Sequence, residues 1–322
     1  MAKVVLGLGA SHGSSTFAPP STWEFYAERD RHRRIYRTLL DRADGSLAGR
    51  CAPEQWEAYF EAGQRAQATL NAAVDKARPD VIVIFGDDQH EQFRDDNMPM
   101  FAIYRGPAMS RGSRRRQRDI WAGEGEAEEP GQSNDGAPRL FAGAPDLAEH
   151  LIGHLVEEGI DLACSNALRE DVGLGHAFTH VAENMPRIGE AALLPFMVNT
   201  YYPPNQPTAR RCYELGRLVR EAIDSWDSDK RVAIMASGGL SHQTIDERLD
   251  HGVLDAIANQ ETRWLASLPS ETFTGGTSEI LNWITVAAAM ESDDATIVDY
   301  VPAYRTPAGT GLAMGFAYWE PR

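Results

Sequence analysis

The sequence predicts an α/β protein: a single layered domain with a central sheet flanked by helices and an active site at the carboxyl ends of the strands. Three observations predict it. Short apolar, β-branched runs alternate with long stretches of helical periodicity. Several of those runs end in polar, histidine-bearing loops, and in open α/β sheets the ligand crevice lies at the carboxyl ends of the strands. The 322 residues show no internal repeat and no clean linker, which favours one large domain over two small ones.

Residues 4–8 form a buried strand that runs into Gly9-Ala10-Ser11-His12-Gly13. Residues 14–50 are polar and rich in Pro and Arg, an irregular excursion with a short helix near 23–30. Residues 53–77 place Trp56, Tyr59, Phe60, Ala66, Leu70, Ala73 and Val74 at helical spacing, and Pro79-Asp80 ends that helix. Val81-Ile82-Val83-Ile84-Phe85 is the clearest buried strand and ends in Gly86-Asp87-Asp88-Gln89-His90. Residues 106–140 carry a basic run (111–118) and an acidic run (124–129) amid Gly, Pro, Ser and Asn. That composition reads as a mobile insertion, a lid or a subunit contact. A helix at about 144–158, a strand near 161–164, a strand at 193–199 and a helix at about 207–225 follow. A strand at 231–236 ends in Ser237-Gly238-Gly239-Leu240-Ser241-His242. Helices at about 246–266 and 277–290, then strands at 297–304 and 312–319, complete the pattern.

Acidic residues number 47 against 31 basic ones, a formal net charge of −16. Such a surface repels phosphates, which excludes general nucleic-acid or anionic-membrane binding. Cys51, Cys164 and Cys212 have no paired spacing, so neither a disulfide framework nor a thiolate zinc site is indicated. The first residues lack a signal-peptide layout and no run approaches a membrane span; a cytoplasmic protein is expected. Ser11 satisfies a G-x-S-x-G pattern, but the Ser/Pro-rich stretch after it opens no helix, as a hydrolase elbow needs.

The chemistry concentrates in Ser11-His12-Gly13, Asp87-Asp88-Gln89-His90 and Leu240-Ser241-His242, each directly after a buried strand. Such groups converge at the strand ends. A fourth element is Gly275-Gly276-Thr277-Ser278-Glu279, ahead of Asn282-Trp283. Thr277 or Ser278 reads as a helix N-cap, with Glu279 in the first turn, where the helix dipole favours a carboxylate.

Together these elements resemble the class III extradiol ring-cleavage dioxygenases, the LigB-type catalytic subunit, over most of the chain. Gly238-Gly239-Leu240-Ser241-His242-Gln243 is the sharpest match. The resemblance implies a mixed α/β fold with the metal at the strand ends. It implies Fe(II) held by His12, a second histidine and Glu279, with His242 as acid/base. Two histidines and a carboxylate on one face leave positions for a chelating diol and O2, and a near-neutral imidazole can take a phenolic proton and return it.

One departure stands out. The family has Asp-His after the second strand, and aligning on Asp88 and Phe93 puts Gln89 where that histidine belongs, with His90 one residue later. Three readings are open. His90 ligates after a local backbone shift; Gln89 ligates through its carbonyl oxygen; or the chain binds Zn or another divalent ion, or none. Neighbouring strand residues point in opposite directions, so one of the pair faces the site, and ligand chemistry favours His90.

His176 and His180 are four apart, a metal-competent spacing on a helix, although Gly173 and Gly175 favour a loop. His176 and Tyr201 are candidates to contact substrate, and Arg305, beside Tyr304, to hold a substrate carboxylate. His150 and His154 belong to an ordinary amphipathic helix. The expected function is non-haem Fe(II) extradiol cleavage of a small aromatic diol with O2 by a homo-oligomer. The rivals are a metal-dependent hydrolase or lyase on the same fold, favoured by the displaced second ligand, and a binding protein with a degenerate site.

Overall fold

A computed structural model describes residues 1–112 and 139–322. The charged runs expected at 111–118 and 124–129 lie almost wholly outside the described residues.

The strands are β1 (Lys3–Ala10), β2 (Val81–Asp87), β3 (Phe101–Tyr104), β4 (Ala108–Ser110), β5 (Leu140–Ala142), β6 (Ala163–Ser165), β7 (Ala192–Val198), β8 (Arg231–Ser237), β9 (His242–Thr244), β10 (Asp294–Tyr304) and β11 (Thr310–Glu320). The helices are α1 (Trp23–Arg31), α2 (Tyr36–Arg42), α3 (Pro53–Ala77), α4 (Pro145–Glu157), α5 (His176–Asn184), α6 (Ala209–Ser225), α7 (Glu247–Ala258), α8 (Thr262–Ala266) and α9 (Ile280–Ala289).

Nine strands form one mixed sheet in the order β10-β11-β1-β8-β2-β7-β3-β6, with β9 beside β11, while β4 and β5 pair separately. The centre, β1-β8-β2-β7, is parallel, and antiparallel β11 and β3 flank it. The central strands are apolar except at their ends (Lys3, Asp87, Arg231, Ser237), because both faces are covered. Val81, Val83 and Phe85 enter one core with Leu151 of α4, Leu215 of α6 and Trp283 of α9. Ile82 and Ile84 enter the other with Trp23 of α1, Leu70 of α3 and Phe178 of α5. Each such large side chain contributes about 1.5–3 kcal/mol by leaving water.

Two segments of the expected helical pattern fold differently. The helix expected over 246–266 is two helices, because Gln260 takes a left-handed φ of 60° and turns the chain. The segment around His176 is a nine-residue helix rather than a loop; Gly175 is its extended N-cap and α5 starts on His176 itself.

Candidate active site

A cavity of about 230 Å³ opens at the carboxyl ends of the parallel strands. An engineered cavity of about 150 Å³ takes benzene, so this one has room for a single substituted ring. His12, Gln89, His176, His180, Tyr201, His242, Glu279 and Arg305 line it.

Glu279 is brought there by the start of α9. Trp283 Nε1 donates to the Gly238 carbonyl at 3.0 Å and Asn282 Nδ2 to the Ser237 carbonyl at 3.0 Å, fastening the helix to the end of β8. Gly238 adopts φ +152°, and a Cβ there would sit 2.8 Å from Glu279 Cβ, so the close approach requires glycine. The expected capping is not formed. Glu279 closes a 3-10 turn and α9 begins at Ile280, while Ser278 Oγ donates back to the Gly275 carbonyl. The Glu279 carboxylate turns into the cavity, where Oε2 accepts the Gly239 N–H at 2.7 Å and Oε1 the Tyr201 hydroxyl at 2.9 Å.

The Gly-Gly-Leu-Ser-His loop is anchored by Asp250 of α7. Its buried carboxylate accepts the Ser241 amide at 2.8 Å, the Ser241 hydroxyl at 2.6 Å and the Tyr300 hydroxyl at 2.7 Å. His242 Nδ1 bonds the Leu240 carbonyl at 3.0 Å, which presents Nε2 to the cavity, 3.2 Å from Glu279 Oε1. Burial opposes charge on His242, but Glu279 outweighs it and holds the imidazole above its ordinary value.

His12 is fixed by its tautomer. The Ser237 hydroxyl donates to the Ala177 carbonyl, so its lone pair takes His12 Nδ1–H at 3.0 Å and His12 Nε2 keeps a bare lone pair. Burial pushes the His12 imidazole down to about 3, so it is neutral. Nε2 lies 3.8 Å from Glu279 Oε1 and 3.9 Å from Asp87 Oδ1. Burial and the nearby Glu279 charge push Asp87 upward.

The structure places the two second-ligand candidates apart. Asp88 ties down the loop after β2, accepting the amides of Gln92 and Phe93 at 2.8 and 2.9 Å. His90, which ligand chemistry favoured, has φ +61°, stacks on Tyr202 at 3.8 Å and places Nε2 3.2 Å from Asp95. It does not line the cavity and is not brought to His12 and Glu279. Gln89 does face the cavity, but its amide donates to Asp87 Oδ2 at 3.0 Å.

His176 and His180 share one face of α5, with ring centroids 5.8 Å apart. Both the ring Nδ1 and the backbone N–H of His176 bond the buried Glu91, each at 2.9 Å. Burial alone would lower His176, but Glu91 overcomes it and holds the ring up to about 10. Arg305 Nε bonds Asp30 at 3.0 Å and Arg33 lies 3.3 Å from the same carboxylate. With Arg29, three guanidiniums and one carboxylate form the rim. Tyr304, by contrast, bonds Glu247 and does not line the cavity.

Sequence reasoning missed the orientation of Asp87, the supports Glu91 and Ser237, and the rim residues Arg29, Asp30 and Arg33. Asp87 lies in a cluster it singled out, but only the strand geometry shows which of the four successive polar residues faces His12.

The donor set suits a divalent ion. His12, Asp87 and His176 are all buried, with candidate ligand atoms within 4.8 Å of one another, and Asp87 Oδ1 accepts no hydrogen bond among the described residues. Fold and site together define an α/β protein with a buried, metal-competent cavity at its strand ends. The family described as the catalytic LigB subunit of aromatic ring-opening dioxygenase matches residues 49–315, and the chain belongs to it. It is 30% identical to a gallate dioxygenase of Pseudomonas putida over 200 residues, 58% of this chain and 56% of that one. It is 31% identical over 186 residues to a 2,3-dihydroxyphenylpropionate/2,3-dihydroxicinnamic acid 1,2-dioxygenase of Rhodococcus globerulus, 55% of this chain and 50% of that one. The chain thus aligns with about half the length of these curated relatives. No helix among the described residues is long and apolar enough to cross a membrane.

Proposed function

We propose that the protein is an extradiol dioxygenase that opens a small aromatic ring bearing adjacent hydroxyls and an anionic substituent. The observation that carries this is the meeting of His12, Glu279 and His242 in one ring-sized cavity of a ring-opening family. The similarity to named ring-cleaving dioxygenases does not favour the hydrolase or lyase alternative.

His12 and Glu279 would hold a divalent ion, Fe(II) in our reading, and that ion would supply the electronic coupling between diol and O2. The chain's own residues do the rest. His242 Nε2, aimed at the cavity by the Leu240 carbonyl, takes a proton from the diol and returns it to an oxygen as the ring opens. Tyr201 holds Glu279 in place through its hydroxyl. His176, kept cationic by Glu91, donates a hydrogen bond to developing negative charge. The Arg29, Arg33 and Arg305 rim draws an anionic substituent despite the acidic surface elsewhere. In the net reaction the ring C–C bond beside a hydroxyl breaks, and both atoms of O2 end in the product, one on each carbon of that bond. Oligomeric proteins are mostly symmetric homo-oligomers, and such an assembly, in the cytoplasm, completes the reading.

The test is O2 uptake by anaerobically Fe(II)-loaded protein with aromatic diols, with and without a carboxylate. One O2 consumed per ring opened, fastest with a carboxylated diol, is expected. No uptake with any diol by protein carrying one iron per chain would sink the reading.

A further inference from the structure

We propose that the Asp87 carboxylate is a metal ligand of this site, standing with His12 and Glu279 where the loop after β2 supplies no histidine. The inference rests on the reading above that a divalent ion works in this cavity.

Two carboxylate oxygens face the lone pair of His12 there. His12 Nε2 carries a lone pair because Nδ1–H is committed to Ser237. Asp87 Oδ1 lies 3.9 Å from it and Glu279 Oε1 3.8 Å. The Tyr201 hydroxyl reaches Glu279 but not Asp87. Asp87 is fully buried, and Oδ1 accepts no hydrogen bond among the described residues. A buried oxygen left in that condition is costly unless a cation or a proton meets it. A cation bound at His12 Nε2 would meet Asp87 Oδ1 on one side and Glu279 Oε1 on the other.

The surroundings fit the assignment. Ligands are held from behind by outer groups that leave one atom for the ion. His12 is held by Ser237, Glu279 by the Gly239 amide, and Asp87 by Gln89, whose Nε2 donates to Oδ2 at 3.0 Å. Gln89 is therefore a positioning residue, and its amide points at a ligand instead of being one. A neutral imidazole with two carboxylates balances the charge of a divalent ion. Such an oxygen-rich set suits Fe(II) and Mn(II). His176 belongs to the same buried group; Glu91 holds its Nδ1 and its backbone amide, and in the reading above its Nε2 donates to substrate.

The experiment titrates Mn(II) into metal-stripped protein and follows loss of the free-ion EPR signal. Wild type should bind one Mn(II) per chain. Asp87→Asn should weaken binding more than 100-fold, beyond the ~10–100-fold expected of Gln89→Ala, which removes only an outer support. His176→Ala should cost less than about 10-fold, below that same outer-support range. Asp87→Asn keeps the side-chain volume, and an unchanged circular dichroism spectrum and melting temperature without metal would separate lost ligation from misfolding. Wild-type affinity in Asp87→Asn overturns the proposal. So does wild-type affinity in Gln89→Ala, a half-buried position where folding is not at stake, and so does lost binding in His176→Ala with Asp87→Asn intact. Mn(II) binding that depends on Asp87, in a protein whose Fe(II) form consumes no O2 with any diol, would overturn the ring-cleavage reading while leaving this ligand assignment standing.

Discussion

His242 and Glu279 meet with Nε2 and Oε1 3.2 Å apart, and each is pinned from behind by the same loop. Leu240 contributes a carbonyl to His242 Nδ1, and Gly239 an amide to Glu279 Oε2. Two residues of the loop after β8 therefore set the distance between the proposed acid/base and a proposed metal ligand, although the two side chains are 37 positions apart. The loop is held in turn by Asp250 and by Trp283, so the pair is pre-organised by groups that never touch substrate.

Removing the imidazole should separate binding from chemistry. His242→Ala keeps His12, Asp87 and Glu279, so metal content should stay at the wild-type level. Turnover should fall by roughly 10²- to 10⁴-fold, the usual contribution of a positioned acid/base. Metal analysis beside steady-state O2 uptake reads both. Unchanged turnover would remove His242 from the mechanism.

The rim predicts a choice between substrates. Arg305→Ala deletes one of the guanidiniums at the cavity mouth, while Arg33 still neutralises Asp30 from 3.3 Å. A charge-assisted hydrogen bond contributes about 1.5–3 kcal/mol, so KM for a carboxylated diol should rise roughly 10- to 100-fold. KM for an uncharged catechol should barely move. Equal losses on both substrates would show that Arg305 supports the fold of the rim and not the ligand.

Glu91 controls the charge of His176. With the carboxylate present the ring stays protonated up to about 10. In Glu91→Gln only Asp87 and Glu279 remain to oppose burial, so the His176 value should fall well below that of the wild type. Nitrogen-detected NMR titration of the metal-free protein reads this directly. The sign for stability follows: a raised histidine value stabilises fully below about 6.5, and that part is lost progressively as pH rises through about 10. The stability gap between wild type and Glu91→Gln should therefore narrow over that window. A His176 value unmoved by the substitution would refute the pairing.

Much of this was legible in the sequence because it is local. The apolar run at 81–85 and the helix at 53–77 need only periodicity, and α3 spans Pro53–Ala77 as expected. His12, His242 and Glu279 were found because each follows a buried strand or opens a helix. What was not legible depends on single backbone angles and on long-range packing. No pattern announces that His90 adopts φ +61° and swings onto Tyr202, and that one angle removes the chemically better ligand from the cavity. Nor does any pattern bring α1 of the irregular excursion across the strand ends, where Asp30 meets Arg305 from 275 positions away. The short strand Phe101–Tyr104 also escaped, since four apolar residues in a Pro-bounded loop carry no period of their own.

Gly276 makes the last test, one of geometry alone. A Cβ at this position would lie 2.0 Å from His242 Cδ2 and 2.1 Å from Nε2. The ring cannot move away without breaking its bond to the Leu240 carbonyl. Gly276→Ala should therefore cost about 1–3 kcal/mol of stability, the usual range for overpacking. It should also cost turnover out of proportion to that loss, because the displaced atom is the one that carries the proton. The control is Gly153→Ala in α4, where a Cβ meets nothing within 4 Å. There the substitution should stabilise by about 0.4–1 kcal/mol through the unfolded chain and leave turnover alone. Thermal melts and O2 uptake on the two variants compare them directly. If Gly276→Ala loses stability and keeps full turnover, the position of the His242 ring is not what limits the reaction.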